Sequence, residues 1–138
     1  MMDTNISNVS LTGPANLHFV ETLLDELEAL YRAAQDVSDE DRTYFSLAVS
    51  EIATNIVTYS VSESEVAVTA DLVVDDVTLS ARLGDDAEPV HVRFEDAELP
   101  DEMAESGRGL AIATMALDQL SHELDEGNVW KLVRNRRP

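Results

Sequence analysis

The hydrophobic period of this chain changes near residue 60, and that change fixes its class. Before it, Leu17, Val20, Leu24, Leu27 and Tyr31 recur at helical spacing, which predicts a helix over about Ala15–Ala34. Thr12-Gly13-Pro14 is its predicted entrance. Ser38-Asp39-Glu40-Asp41 reads as the cap of a second helix running to about Tyr59, with Phe45, Ala48, Ile52 and Ile56 on its apolar side. After it, Val66, Val68, Ala70 and Leu72 alternate with polar residues, and so do Val77, Leu79, Ala81 and Leu83. With Val74-Asp75-Asp76 between them, the two runs predict an antiparallel hairpin with one buried face.

The remaining segments are shorter. Ile6–Leu11 is a weak first strand. Gly107-Arg108-Gly109 is expected to open a third helix, with Leu110, Met115 and Leu117 toward the core. Strands over Ser121–Leu124 and Asn128–Arg134 close the chain around Asp125-Glu126-Gly127. Gly84–Ser106 is a long acidic loop with a short strand at Val90–Phe94, expected to act as a mobile lid. The order β-α-α-β-β-loop-α-β-β predicts one α/β (α+β) two-layer sandwich over residues 1–138: a mixed, largely antiparallel sheet with helices on one face.

Composition narrows the function. Nine Lys and Arg against 28 Asp and Glu give a formal charge of −19. That balance argues against direct nucleic-acid binding, which draws on clustered cations. The absence of Cys excludes thiol catalysis and disulfide scaffolds. No apolar run is long enough to span a bilayer, and Met1–Ser10 carries no export pattern, so a cytoplasmic protein without membrane attachment is expected. Lys131, Arg134, Arg136 and Arg137 crowd the last eight positions and are expected to form a solvated tail, with a small anion-facing patch as the sharper alternative.

His18, His91 and His122 are scattered and make no metal spacing, so acid–base work falls to carboxylates. Glu51 and Asn55 stand at i and i+4 on the second helix and share one face. The Asn carbonyl suits Mg²⁺, and the Glu can deprotonate a hydroxyl. Gly107-Arg108-Gly109-Leu110 lets backbone N–H groups approach an anion at a helix start. Asp85-Asp86 closes the second hairpin strand, where a carboxylate can accept from an exocyclic amine. Taken singly, the ExxxN pair and the Asp85-Asp86 turn read rather as an ordinary helical Glu with a hydrogen-bonded Asn and as an acidic turn, and GxG alone is weak evidence against a flexible helix entry.

Their order resembles the gyrase–chaperone–histidine-kinase–MutL ATPase superfamily, and within it the anti-sigma-factor serine/threonine kinases with a histidine-kinase-like ATPase fold. The carrying residues are Ala48-Val49-Ser50-Glu51-Ile52-Ala53-Thr54-Asn55-Ile56-Val57, Glu105-Ser106-Gly107-Arg108-Gly109-Leu110-Ala111-Ile112 and Val129-Trp130-Lys131-Leu132. The resemblance implies ATP and Mg²⁺ as cofactors. It implies Glu51 as catalytic base, Asn55 as Mg²⁺ ligand, and Asp85 as the contact to the adenine amino group. Gly107, Arg108, Gly109 and Leu110 would shape the phosphate end. Ala87 stands where the family places a glycine, so its methyl is expected either to crowd the base pocket or to sit at an unfavourable backbone angle. The implied partners are an anti-anti-sigma (STAS-type) protein and a sigma factor, with a homodimer as the implied assembly. Two alternatives stand beside this: a non-catalytic protein-binding regulator of the same fold, and an acidic nucleic-acid mimic that occupies a basic partner.

Overall fold

A computed structural model describes residues 6–34, 36–59, 65–87, 104–124 and 127–137. Strand β1 (Ser7–Pro14) is followed by helices α1 (Leu17–Ala34) and α2 (Asp39–Tyr59). The hairpin β2 (Ala67–Val74) and β3 (Thr78–Asp85) comes next, then α3 (Ala104–Ala116) and the hairpin β4 (Gln119–Leu124) and β5 (Asn128–Asn135). The five strands form one sheet in the order β1-β2-β3-β5-β4, and all four pairings are antiparallel. This is an α+β fold with its helices on one face, as the period change predicts.

One row on each strand faces the helices. Val68, Ala70, Leu72 and Val74 on β2 and Leu79, Ala81 and Leu83 on β3 are buried, and so are Trp130 and Leu132 on β5. They meet Leu23, Leu27 and Leu30 of α1, and Phe45, Val49 and Ile52 of α2. Such a core, at roughly 25 cal/mol per Å² of apolar surface removed from water, is the main force holding the two layers together. No helix among the described residues is long and apolar enough to cross a membrane.

Several boundaries differ from the sequence expectation, each for a physical reason. Pro14 ends β1 instead of opening α1; Pro is tolerated there because β1 is an edge strand. The α1 cap is Asn16, whose Oδ1 accepts the Phe19 N–H at 2.8 Å. Leu17 therefore precedes the buried stripe and is 63% exposed. Val77 belongs to the β2–β3 turn and is exposed, because Asp75 captures the N–H groups of Val77 and Thr78. Gly84 and Asp85 complete β3 rather than opening a loop. Helix α3 begins at Ala104, so Gly107 and Gly109 lie inside it and not at its start. Met115 points away from the core. The expected strand at Val90–Phe94, and most of the expected lid, lie outside the described residues.

The largest correction concerns the basic C-terminus, which is not a solvated tail. Arg134 is 3% exposed. Its Nε donates to Asp41 Oδ1 at 2.9 Å and its Nη1 donates to the Ala116 carbonyl at 2.8 Å. Its guanidinium carbon lies 5.0 Å from the centre of the Tyr44 ring. Arg136 donates to the carbonyls of Asp75 and Asp36, and Arg137 donates to Asp118 Oδ2. Lys131 and Arg137 are the exposed two of the four, and Lys131 pairs with Glu123 across the ladder at 3.4 Å. Asp41 also accepts the Arg137 N–H, and its own N–H is capped by Ser38 Oγ.

Burial pushes the Asp41 carboxyl up, but the hydrogen bonds from Arg137, Arg134 and Ser38 outweigh it and hold the group below its ordinary 3.8. A carboxyl lowered on folding adds stability that is present above the ordinary value and is lost as pH falls through the lowered one. Arg134→Leu should lower the unfolding free energy by about 3–5 kcal/mol in urea, because it strands a buried carboxylate. Asp41→Asn should flatten the loss of stability below roughly pH 4 relative to the unsubstituted protein, as read by urea midpoints across pH.

Candidate functional site

The Arg134 ion pair sets the axial position of both site helices. Asp41 is in the first turn of α2, and Arg134 stands opposite Leu79 on the β3–β5 ladder. Helix α2 packs against β3 and β5. Along α2, Asn55 lies about 21 Å beyond Asp41 at 1.5 Å per residue. Along β3, Asp85 lies about 20 Å beyond Leu79 at 3.4 Å per residue. A helix laid along that strand therefore brings Asn55 level with Asp85. Helix α3 is tied to Arg134 by its last carbonyl and meets Glu51 at Gly109, so it runs antiparallel to α2. Its N-terminal end, where the helix dipole is positive, points toward the Asn55 end of α2.

Glu51 and Asn55 are both half-buried. Ile52 and Ile56 beside them are buried in the core, which keeps the polar pair at its boundary. A Cβ placed on Gly109 would stand 2.6 Å from Glu51 Oε2 and 3.8 Å from Asn55 Oδ1. A side chain at this position would push the Glu51 carboxylate aside. Neither side chain has a hydrogen bond or ion pair among the described residues. Every buried side-chain polar atom among the described residues has a partner, whereas this carboxylate and amide stand at the core boundary beside a helix backbone.

Asp85 shares the helix-covered face of β3 with Leu79, Ala81 and Leu83. Its Oδ1 accepts the Ala87 N–H at 2.9 Å and the Asn128 Nδ2–H at 3.0 Å. Its Oδ2 has no partner among the described residues. Asp86 is engaged elsewhere: its Oδ1 accepts the Ala67 N–H and its own N–H donates to the Ala67 carbonyl. Ala87 is buried, and its φ is not positive, since Asp36 is the only described non-glycine residue with φ above zero. The backbone-angle penalty expected from the sequence is therefore absent, and only the methyl remains to be accommodated. Arg108 is exposed on α3, and Leu110 is buried in the core. Gly107 lies two residues before Gly109.

Sequence reasoning missed Asn128, which donates to Asp85, and His122, which bonds Asn128 in turn. Asn128 at a strand start reads as a turn residue, and only the β3–β5 register places it opposite Asp85. No group of three or more His, Asp or Glu that could cage a metal exists among the described residues. A hard cation here could take an oxygen from Asn55 and complete its shell with phosphate and water, which is how Mg²⁺ commonly binds beside nucleotides. Glu51, Asn55 and one oxygen of Asp85 carry no side-chain partner among the described residues.

A five-stranded antiparallel sheet covered on one face by three helices is the histidine-kinase-like ATPase fold. The chain belongs to the family described as histidine kinase-like ATPase domain, which it matches over residues 13–134. A similar solved structure is the crystal structure of the RsbU and RsbW domains of Rv1364c from Mycobacterium tuberculosis, with a TM-score of 0.64 and 16% identity. The match covers 96% of this chain and 33% of that one, so this chain spans about a third of that protein's length. At that identity the likeness shows the fold. No curated protein sequence matches significantly. The family is an ATPase-domain family, which implies ATP as its ligand.

Gly109→Ala should displace the Glu51 carboxylate without unfolding the domain, because the obstructing atom is the end of a flexible side chain. Ala is favoured over Gly inside a helix by about 0.5–1 kcal/mol. The expected result is an equal or higher melting temperature together with a shifted Glu51 side chain, read by calorimetry and by a crystal structure of the variant.

Proposed function

We propose that this chain is an ATP-dependent serine/threonine protein kinase of the anti-sigma-factor type, acting in the cytoplasm. It phosphorylates an anti-anti-sigma (STAS-type) protein and otherwise sequesters a sigma factor. The observation that carries this reading is the approach of the α3 backbone at Gly109 to Glu51 and Asn55. It unites the two motifs that are weak when taken singly. Family membership and the fold shared with a chain containing an RsbW domain support it.

In this reading Asn55 Oδ1 is the protein ligand of a Mg²⁺ ion. Bound there, the ion neutralises phosphate charge. Asp85 Oδ2 accepts from the amino group of adenine. The N-terminal half of α3 faces the phosphates with its backbone and its dipole. Glu51 takes the proton of the acceptor Ser or Thr hydroxyl as that oxygen bonds to the terminal phosphorus, and ADP leaves with the electrons of the broken P–O bond. Phosphoryl transfer asks mainly for positioning and charge neutralisation, so this small set is chemically sufficient.

Two substitutions separate binding from transfer. Asn55→Ala should abolish Mg²⁺-dependent ATP binding while thermal unfolding stays near that of the unsubstituted protein. Wild-type affinity for Mg·ATP in that variant would reject the metal role. Glu51→Gln should retain ATP affinity and lose roughly 10²- to 10⁴-fold in the rate of phosphate transfer to a STAS-domain acceptor, measured with labelled ATP. Nucleotide binding without transfer by the unsubstituted protein, tested across STAS-domain acceptors, would instead support a non-catalytic regulator of the same fold. The buried Ala87 methyl is the feature that favours that second reading.

A further inference from the structure

Asp85 is held by a relay of side chains that reaches the edge strand of the sheet. Asn128 is 3% exposed and opposes Asp85 in the β3–β5 register. A carboxylate oxygen can only accept from Asn128, so the Nδ2 end of the amide must face Asp85. The Oδ1 end then faces His122, whose Nε2 lies 3.0 Å away. An amide oxygen can only accept, so His122 Nε2 must carry its proton. The His122 ring is itself set by the Trp130 ring, at 4.7 Å between centroids and 59° between planes. Gly127, at φ 146°, brings the start of β5 against the Asp85 carbonyl, where any Cβ would collide.

We propose that Asn128 and His122 are positioning residues for Asp85. They hold its carboxylate so that Oδ1 is occupied and Oδ2 is offered to the base, and they thereby set the preference for a 6-amino over a 6-oxo purine. The inference rests on the reading of Asp85 as the base contact. The direction of every hydrogen bond is forced from one end to the other. A donor at His122 orients the amide, the amide orients the carboxylate, and the carboxylate presents an acceptor. An amino group at the purine 6-position donates to that acceptor, whereas a 6-oxo group meets it lone pair to lone pair. Without the His122 donor, the amide loses the bond that fixes its oxygen end, and the plane of the carboxylate it holds is set less firmly.

The test compares ADP with IDP, which differ at the 6-position, by calorimetric titration with Mg²⁺. The unsubstituted protein should prefer ADP. His122→Phe keeps a ring against Trp130 and removes the donor; it should weaken ADP binding roughly tenfold, about 1.4 kcal/mol, and leave IDP nearly unchanged. His122→Gln, which restores an N–H donor, should recover most of the preference. In ligand-free protein, the Asn128 side-chain amide should exchange slowly with solvent by NMR and become fast in His122→Phe. Circular dichroism and the emission of Trp130, the only tryptophan, check that each variant is folded. Wild-type ADP preference retained in folded His122→Phe, or equal losses for ADP and IDP, would overturn the relay alone. No preference for ADP in the unsubstituted protein would overturn the Asp85 assignment and the relay with it.

Discussion

Everything in this fold is referenced to a guanidinium that should be costly to bury. Arg134 lies in the apolar layer at the end of β5, and its desolvation is offset only because its donors and its face are matched. It bonds Asp41 in α2, the last carbonyl of α3, and packs on Tyr44. Apolar side chains in its place would bury similar surface. They would not set how far each helix slides along the sheet, because hydrophobic contact has no preferred direction. The ion pair and its hydrogen bonds do set it, and the polar site depends on that setting.

Strand β5 thus carries a polar anchor at each end with Trp130 and Leu132 between them. Arg134 fastens the helices at one end, and Asn128 fastens Asp85 at the other. The end held by Arg134 is closed and satisfied. The opposite end leaves Glu51, Asn55 and one oxygen of Asp85 open among the described residues. The rest of the C-terminus reinforces the closed end. Arg137 lowers the Asp118 carboxyl by hydrogen bonding to it, and Arg136 ties the β2–β3 turn to the α1–α2 connection.

The order of elements and the buried faces of both long helices and of the β2–β3 hairpin were legible in the sequence. The reason is that burial repeats at 3.6 or at 2 residues, and Phe45, Ile52, Ala70, Leu72, Leu79 and Leu83 keep to those periods. Element ends were less legible. Leu17, Val77 and Met115 are apolar and in phase, or nearly so, yet each stands where an element begins, turns or leaves the sheet, and none reaches the core. Periodicity says which face is apolar and says nothing of how far the neighbouring layer extends.

The types and the order of the site residues were likewise written in the chain: Glu51 and Asn55 on one helix, Asp85 at a strand end, Gly109 in another helix. What the sequence by itself determined is therefore the set of layers and the local pairing of Glu51 with Asn55, since both follow from neighbours a few residues apart. Only the tertiary structure decided that Gly109 meets that pair, that Asn128 and His122 hold Asp85, and that Arg134 is a core residue and not a tail residue. Those contacts join residues far apart in the chain or on separate strands. They depend on strand register and on the axial position of helices, and neither quantity is carried by the local alternation of polar and apolar side chains.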